Sequence, residues 1–127
     1  MRLLFIAAVA AACVAGCAEP ERAKHGLLDT NERPAERALL SGLRAYDGAQ
    51  YVEAEKQFKT ALLSGLVSPR NKALAHKHLA FIYCTSKRPD KCAVEFRSAK
   101  MADPSFALSK SEADHPLWGS VYQKALP

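Results

Sequence analysis

Of the residue types in this chain of 127 that support catalysis, redox exchange or metal binding, the four cysteines and four histidines come first. His76 and His78 stand two apart. On a helix that spacing turns the two rings toward different faces, whereas zinc-binding helices place histidines at i and i+4 on one face. No metal site is therefore expected; one ring packs at a hairpin surface and the other meets solvent. Cys84 and Cys92 lack the two-residue separation of a redox pair. No serine stands in a nucleophile elbow, and no glycine-rich phosphate loop occurs. The residues point away from catalysis: no enzyme, no cofactor and no small-molecule substrate is expected.

The amino terminus reads as an export signal covering residues 1–16. Met1-Arg2 precedes an uncharged apolar run from Leu3 to Val14, and small residues follow at Ala15-Gly16. A bilayer-spanning helix needs about 20 apolar residues, so this run is a leader core rather than a span. Val14-Ala15-Gly16-Cys17 resembles the lipobox of bacterial lipoproteins. The resemblance implies thioether attachment of a diacylglycerol to Cys17, cleavage just before it, and a third acyl chain on the new amino terminus. Several chains anchor firmly where a single one binds only marginally. Ala18, rather than an aspartate, follows the lipidated position. The resemblance then implies the outer membrane, on its periplasmic side. The alternative is an ordinary secretory leader cleaved near Cys17.

With Cys13 removed in the leader and Cys17 lipidated, Cys84 and Cys92 remain as a pair in an oxidising compartment, where a disulfide persists. The alternative is a Cys92 that only packs in a column of small residues, with Cys84 a free neighbour. Residues 17–34 mix charges with Pro20, Gly26 and Pro34 and carry no period, so they read as a tether with an r.m.s. reach of roughly 20–25 Å. Leu27-Leu28 either float with it or dock on the domain.

Residues 35–127 carry helical periodicity. Leu39, Leu43 and Tyr46 mark a first helix, and Val52, Glu55, Phe58 and Leu62 a second, with Ala54 and Ala61 as small inner members. A third fits Lys72 to about Thr85 with Leu79, Ile82 and Tyr83 inside. A fourth fits Asp90 to about Met101 with Val94 and Phe96 inside, and Pro104 stops it. The chain is also self-similar: Phe58-Lys59-Thr60-Ala61 aligns with Phe96-Arg97-Ser98-Ala99 at an offset of 38, which also pairs Ala54 with Cys92 and Gly42 with Ala80.

These columns resemble the tetratricopeptide repeat, a helix pair of about 34 residues. Leu79, Ala80, Tyr83, Cys92, Phe96, Ala99 and Pro104 fill its positions in the second copy. Gly42, Ala54, Phe58 and Ala61 fill them in the first, where Ala45 replaces the tyrosine and the connection through residues 64–69 runs long. The resemblance implies an all-α stack in which small residues let helices cross and the two phenylalanines fill the space between hairpins. The alternative is a generic four-helix protein. Asp114-His115-Pro116 then starts a closing helix with an apolar stripe of Leu117, Val121, Tyr122, Ala125 and Leu126. Two repeats are fewer than the three usually needed, so this helix, the disulfide or a partner must complete the burial.

Loss of Arg2 with the leader leaves 17 basic against 13 acidic residues. Export excludes nucleic acid as the partner of that surplus. Anionic headgroups, an acidic protein patch and plain solvated charge remain as readings, and Lys87-Arg88 with Lys91 falls at a bend where solvated charge is usual. Stacked hairpins on a lipid anchor imply binding to a protein partner. The closing segment Asp103 to Tyr122, with Asp-Pro-x-Phe-x-Leu and then His-Pro-x-Trp-Gly, is similar to that of small tetratricopeptide-like lipoproteins of the TssQ type, found with type VI secretion clusters. Ser120 departs from that pattern, standing where a proline is expected. The resemblance implies an accessory factor of an envelope-spanning secretion complex; a pilotin-like escort of a secretin or pilus subunit is the alternative, and an envelope receptor or enzyme the third class. Trp118 and Tyr122 are either exposed anchors for the partner or packing residues of the closing helix.

Overall fold

The computed structural model describes residues 33–127. The expected leader, the expected lipidation site at Cys17 and nearly all of the expected tether lie outside the described residues. Six helices follow in order: α1 Pro34–Asp47, α2 Tyr51–Leu63, α3 Pro69–Thr85, α4 Pro89–Ala102, α5 Lys110–Ala113 and α6 Gly119–Ala125. The domain is all-α: α1 packs on α2 and α3 on α4 as two hairpins, α2 joins them through α3, and α6 closes on α4. Three helices begin with proline, Pro34, Pro69 and Pro89, where the missing N–H would have no helical partner. The helical domain thus starts one residue before Ala35, at Pro34. The third and fourth helices likewise begin earlier than their apolar periodicity alone marks.

The two hairpins repeat at the backbone level in the register of 38. Gln50 N–H donates to the Ala45 carbonyl at 2.8 Å, and Arg88 N–H donates to the Tyr83 carbonyl at the same distance. One step earlier in each turn, Ala49 and Lys87 hold φ of 57° and 60°, a left-handed conformation that is uncommon for residues other than glycine. Two turns of unlike sequence thus adopt one geometry, each joining two helices that cross within a hairpin.

That crossing is set by the small and aromatic columns. Ala54, Phe58, Ala61, Ala80, Cys92, Phe96 and Ala99 are fully buried, and Leu79, Ile82 and Tyr83 nearly so. Gly42 is required by contact rather than by its φ: a Cβ there would lie 2.7 Å from two ring carbons of Phe58. Leu66, in the long connection, is also buried and fills the junction between hairpins. Gly65 beside it has φ of 88°, which ends α2 in the left-handed conformation.

Several sequence expectations are corrected. Val52 and Val94 point outward, because the hairpin's contact face on α2 and α4 is carried by Ala54, Phe58 and Ala61 and by Cys92, Phe96 and Ala99. The closing unit is two short helices, not one long one. Ser109 and Glu112 form a reciprocal capping box that opens α5, and Asp114 ends it instead of starting the next helix. Residues 115–118 turn, and α6 begins only at Gly119, where a Cβ would collide with the Ala113 carbonyl oxygen. Leu117 consequently leaves the apolar stripe and is exposed, while Val121, Tyr122, Ala125 and Leu126 pack against the core. Together α5 and α6 make a shortened third hairpin, which explains how a chain with two clear repeats completes its core.

Candidate functional site

The ends of α3 and α4 bring Cys84 and Cys92 to disulfide distance, with Sγ atoms 2.08 Å and Cα atoms 5.3 Å apart. Cys92 occupies the small-residue column that Ala54 fills in the first hairpin, so it packs and reaches Cys84 at once. The eight-residue closure holds the turn that carries Lys87, Arg88 and Lys91.

Tyr83 forms the floor of that region. The Arg88 guanidinium carbon sits 4.5 Å from its ring centroid, and the ammonium groups of Lys91 and Lys59 lie 5.7 and 5.8 Å away. Such distances are in the range of cation–π attraction. Glu55 of α2 ties the two hairpins together: Arg88 donates to both of its oxygens at 2.9 and 3.3 Å, and Lys59 donates at 2.5 Å. The Arg88 guanidinium holds the Glu55 carboxyl down at about 2, outweighing partial burial, with help from Lys59. The same hydrogen bonds push Lys59 and Arg88 up, and burial pushes Tyr83 up. The 87–91 bend is a usual place for solvated charge, yet Arg88 is clasped to Glu55, a contact across 33 residues that no local pattern signals.

The histidines are structural on both counts. His78 is partly buried between the hairpins, 4.9 Å from Tyr46, 5.2 Å from Phe58 and 5.9 Å from Phe81 by ring centroids, with Nδ1 donating to the Leu74 carbonyl at 2.9 Å. Burial lowers its pKa, so it is held neutral. His76 lies 2.5 Å from a Glu95 oxygen, bridging α3 to α4, so neither ring is left simply to solvent. Among the described residues, no group of three or more histidine, cysteine or acidic side chains is placed to hold a metal ion.

Trp118 and Tyr122 complete the aromatic chain. Trp118 stacks on Phe81 at 4.1 Å and under His115 at 3.5 Å, donates Nε1–H to the Glu112 carbonyl at 2.7 Å, and is 8% exposed. Tyr122 meets Phe96 edge-on at 5.2 Å, and its hydroxyl accepts the Leu108 N–H at 3.2 Å. Both rings therefore serve packing, and little of Trp118 is left to meet a partner. Lys77 pairs with Glu112 at 3.0 Å across the same boundary. Burial raises the Glu112 carboxyl, but hydrogen bonds from Lys77 and Ser109 outweigh it and hold the group low.

Large apolar side chains stand in water on α2 and α4, where Val52, Leu63 and Met101 are 87%, 90% and 84% exposed and Val94 about half, and also at Val67 and Leu117. No described helix is long and apolar enough to cross a membrane. Compared with protein families, with curated proteins and with solved structures, the chain has no match.

Proposed function

We propose that this chain is a protein-interaction module, carried to the periplasmic face of the outer membrane by a lipid on Cys17, and an accessory factor of a type VI secretion apparatus. Membrane attachment and partner class rest on the lipobox and on the tail from Asp103 to Tyr122. The observation that carries the module reading is the repeated hairpin closed by a third short one, in which, among the described residues, histidines and cysteines are engaged in packing and bridging: His78 in the aromatic seam, His76 on Glu95, Cys84 beside Cys92. A stack of this kind offers surfaces rather than a reaction centre.

The test is in-cell cross-linking of the lipidated protein followed by mass spectrometry. Capture of type VI baseplate, membrane-complex or sheath components is the expected result. Capture of a secretin or pilus assembly instead would make the protein a pilotin-like escort, and no reproducible protein partner would overturn the module reading.

A further inference from the structure

The exposed face of α2 and α4 has a shape and charge of its own. On α2, Val52, Lys56, Lys59 and Leu63 recur at helical spacing along about 16 Å, or three turns. They line one depression, and Lys59 also borders a second that is lined by Tyr83, Lys91 and Val94. The two depressions thus meet at Lys59 as one groove with an aromatic floor. Its acidic members are Glu55, held by Arg88 and Lys59; Glu95, held by His76; and Asp90. Lys56 and Lys91 form no ion pair among the described residues. The groove therefore offers two cations that no carboxylate holds, Lys56 and the Lys91 that lies over the Tyr83 ring, beside large apolar side chains in water. Interleaved positive charge and exposed apolar area is the complement of a segment bearing carboxylates and apolar residues together. The opposite flank of α3, at Lys77 and Phe81, is already covered by Glu112 and Trp118.

We infer that the groove between α2 and α4, centred on Tyr83 and Lys59, docks an acidic, partly apolar helical segment of a partner protein. This deepens the interaction-module reading and rests on it. A groove with a recessed ring favours a peptide over a flat lipid surface. The turn closed by Cys84 and Cys92 fixes Arg88 and Lys91 in place before the partner arrives, which reduces the ordering cost of binding.

The test uses the full lipidated chain in phosphatidylcholine nanodiscs and a fluorescein-labelled helical peptide of about 14 residues with leucine and glutamate on one face. A second peptide replaces each glutamate by glutamine. Fluorescence anisotropy is expected to show binding of the acidic peptide that weakens with salt and is at least roughly tenfold tighter than that of the glutamine peptide. The paired reversal Lys56→Glu with Lys91→Glu should weaken it by a similar factor at an unchanged melting temperature; if that pair fails to fold, Lys56→Gln with Lys91→Gln takes its place. Equal binding of both peptides, indifference to the reversal, or no binding overturns the inference. So does protection of this face by phosphatidylglycerol nanodiscs without peptide binding, which assigns it to the membrane. Each of these failures concerns the groove alone, because capture of secretion components in the cell reads partners at any face.

Discussion

His78 and Glu55 make the stability of this protein sensitive to acid in two separate ways. His78 is partly buried, and desolvation lowers its folded pKa below the ordinary 6.5. The unfolded chain takes up a proton that the folded chain refuses, so stability falls as pH drops below about 6.5. Glu55 has a folded pKa of about 2 against 4.5 when unfolded, so its contribution is complete above 4.5 and is lost as pH falls toward 2. Urea midpoints measured from pH 8 to 3 should decline in these two windows, and His78→Phe should remove the upper decline while sparing the lower. A His78→Phe profile that still falls between pH 7 and 5.5 would place that decline elsewhere. The cysteines give a second prediction at this scale. Closing so short a loop is worth about 2–3 kcal/mol in the chain-entropy estimate, so Cys84→Ser, or reduction of the native protein, should lower stability by that much. Free thiols in non-reducing peptide maps of the native protein would contradict the pairing.

The helices were legible where burial follows a period, and less so where it is imposed from outside. Phe58 and Phe96 could be matched in the sequence because a hairpin of this kind needs a large ring opposite a small residue, and that need recurs after 38 residues. Val52 and Val94 misled for the converse reason: they obey the helical period but fall on the side that no neighbouring helix covers. The break in the closing segment was hidden because Asp114-His115-Pro116 has the composition of a helix start, whereas the reciprocal Ser109 and Glu112 cap had already used that turn. A volume change tests the register most cleanly. Gly42 faces Phe58 across the helix crossing with no room even for a methyl group, so Gly42→Leu should destabilise by about 1–3 kcal/mol or more. Ala80→Leu, at the same place in the second hairpin, should behave alike. An unchanged melting temperature in both would refute the crossing described here.

At the scale of the molecule, a two-repeat stack is stable only if its open end is covered, and Trp118 and Tyr122 cover it. Trp118→Ala removes the ring stacked on Phe81 and the hydrogen bond to Glu112, and should cost about 3–5 kcal/mol, read as a shift in the urea midpoint of the whole domain rather than of the tail alone. The need for such a cover could be stated from the sequence; the way the rings meet it depends on contacts between residues 37 positions apart, Phe81 and Trp118, which no local pattern reveals. With the interior closed in this way, recognition falls to the surface, which the proposed lipid on Cys17 would present to the periplasm. The most direct measurement is photo-cross-linking in the native cell, with the probe amino acid placed at Leu63 in lipidated protein and in a Cys17→Ser variant. The account predicts a cross-link from Leu63 to a component of a type VI secretion complex, absent when Cys17 is replaced. Partners identical with and without the lipid, or only secretin and pilus components, would contradict it.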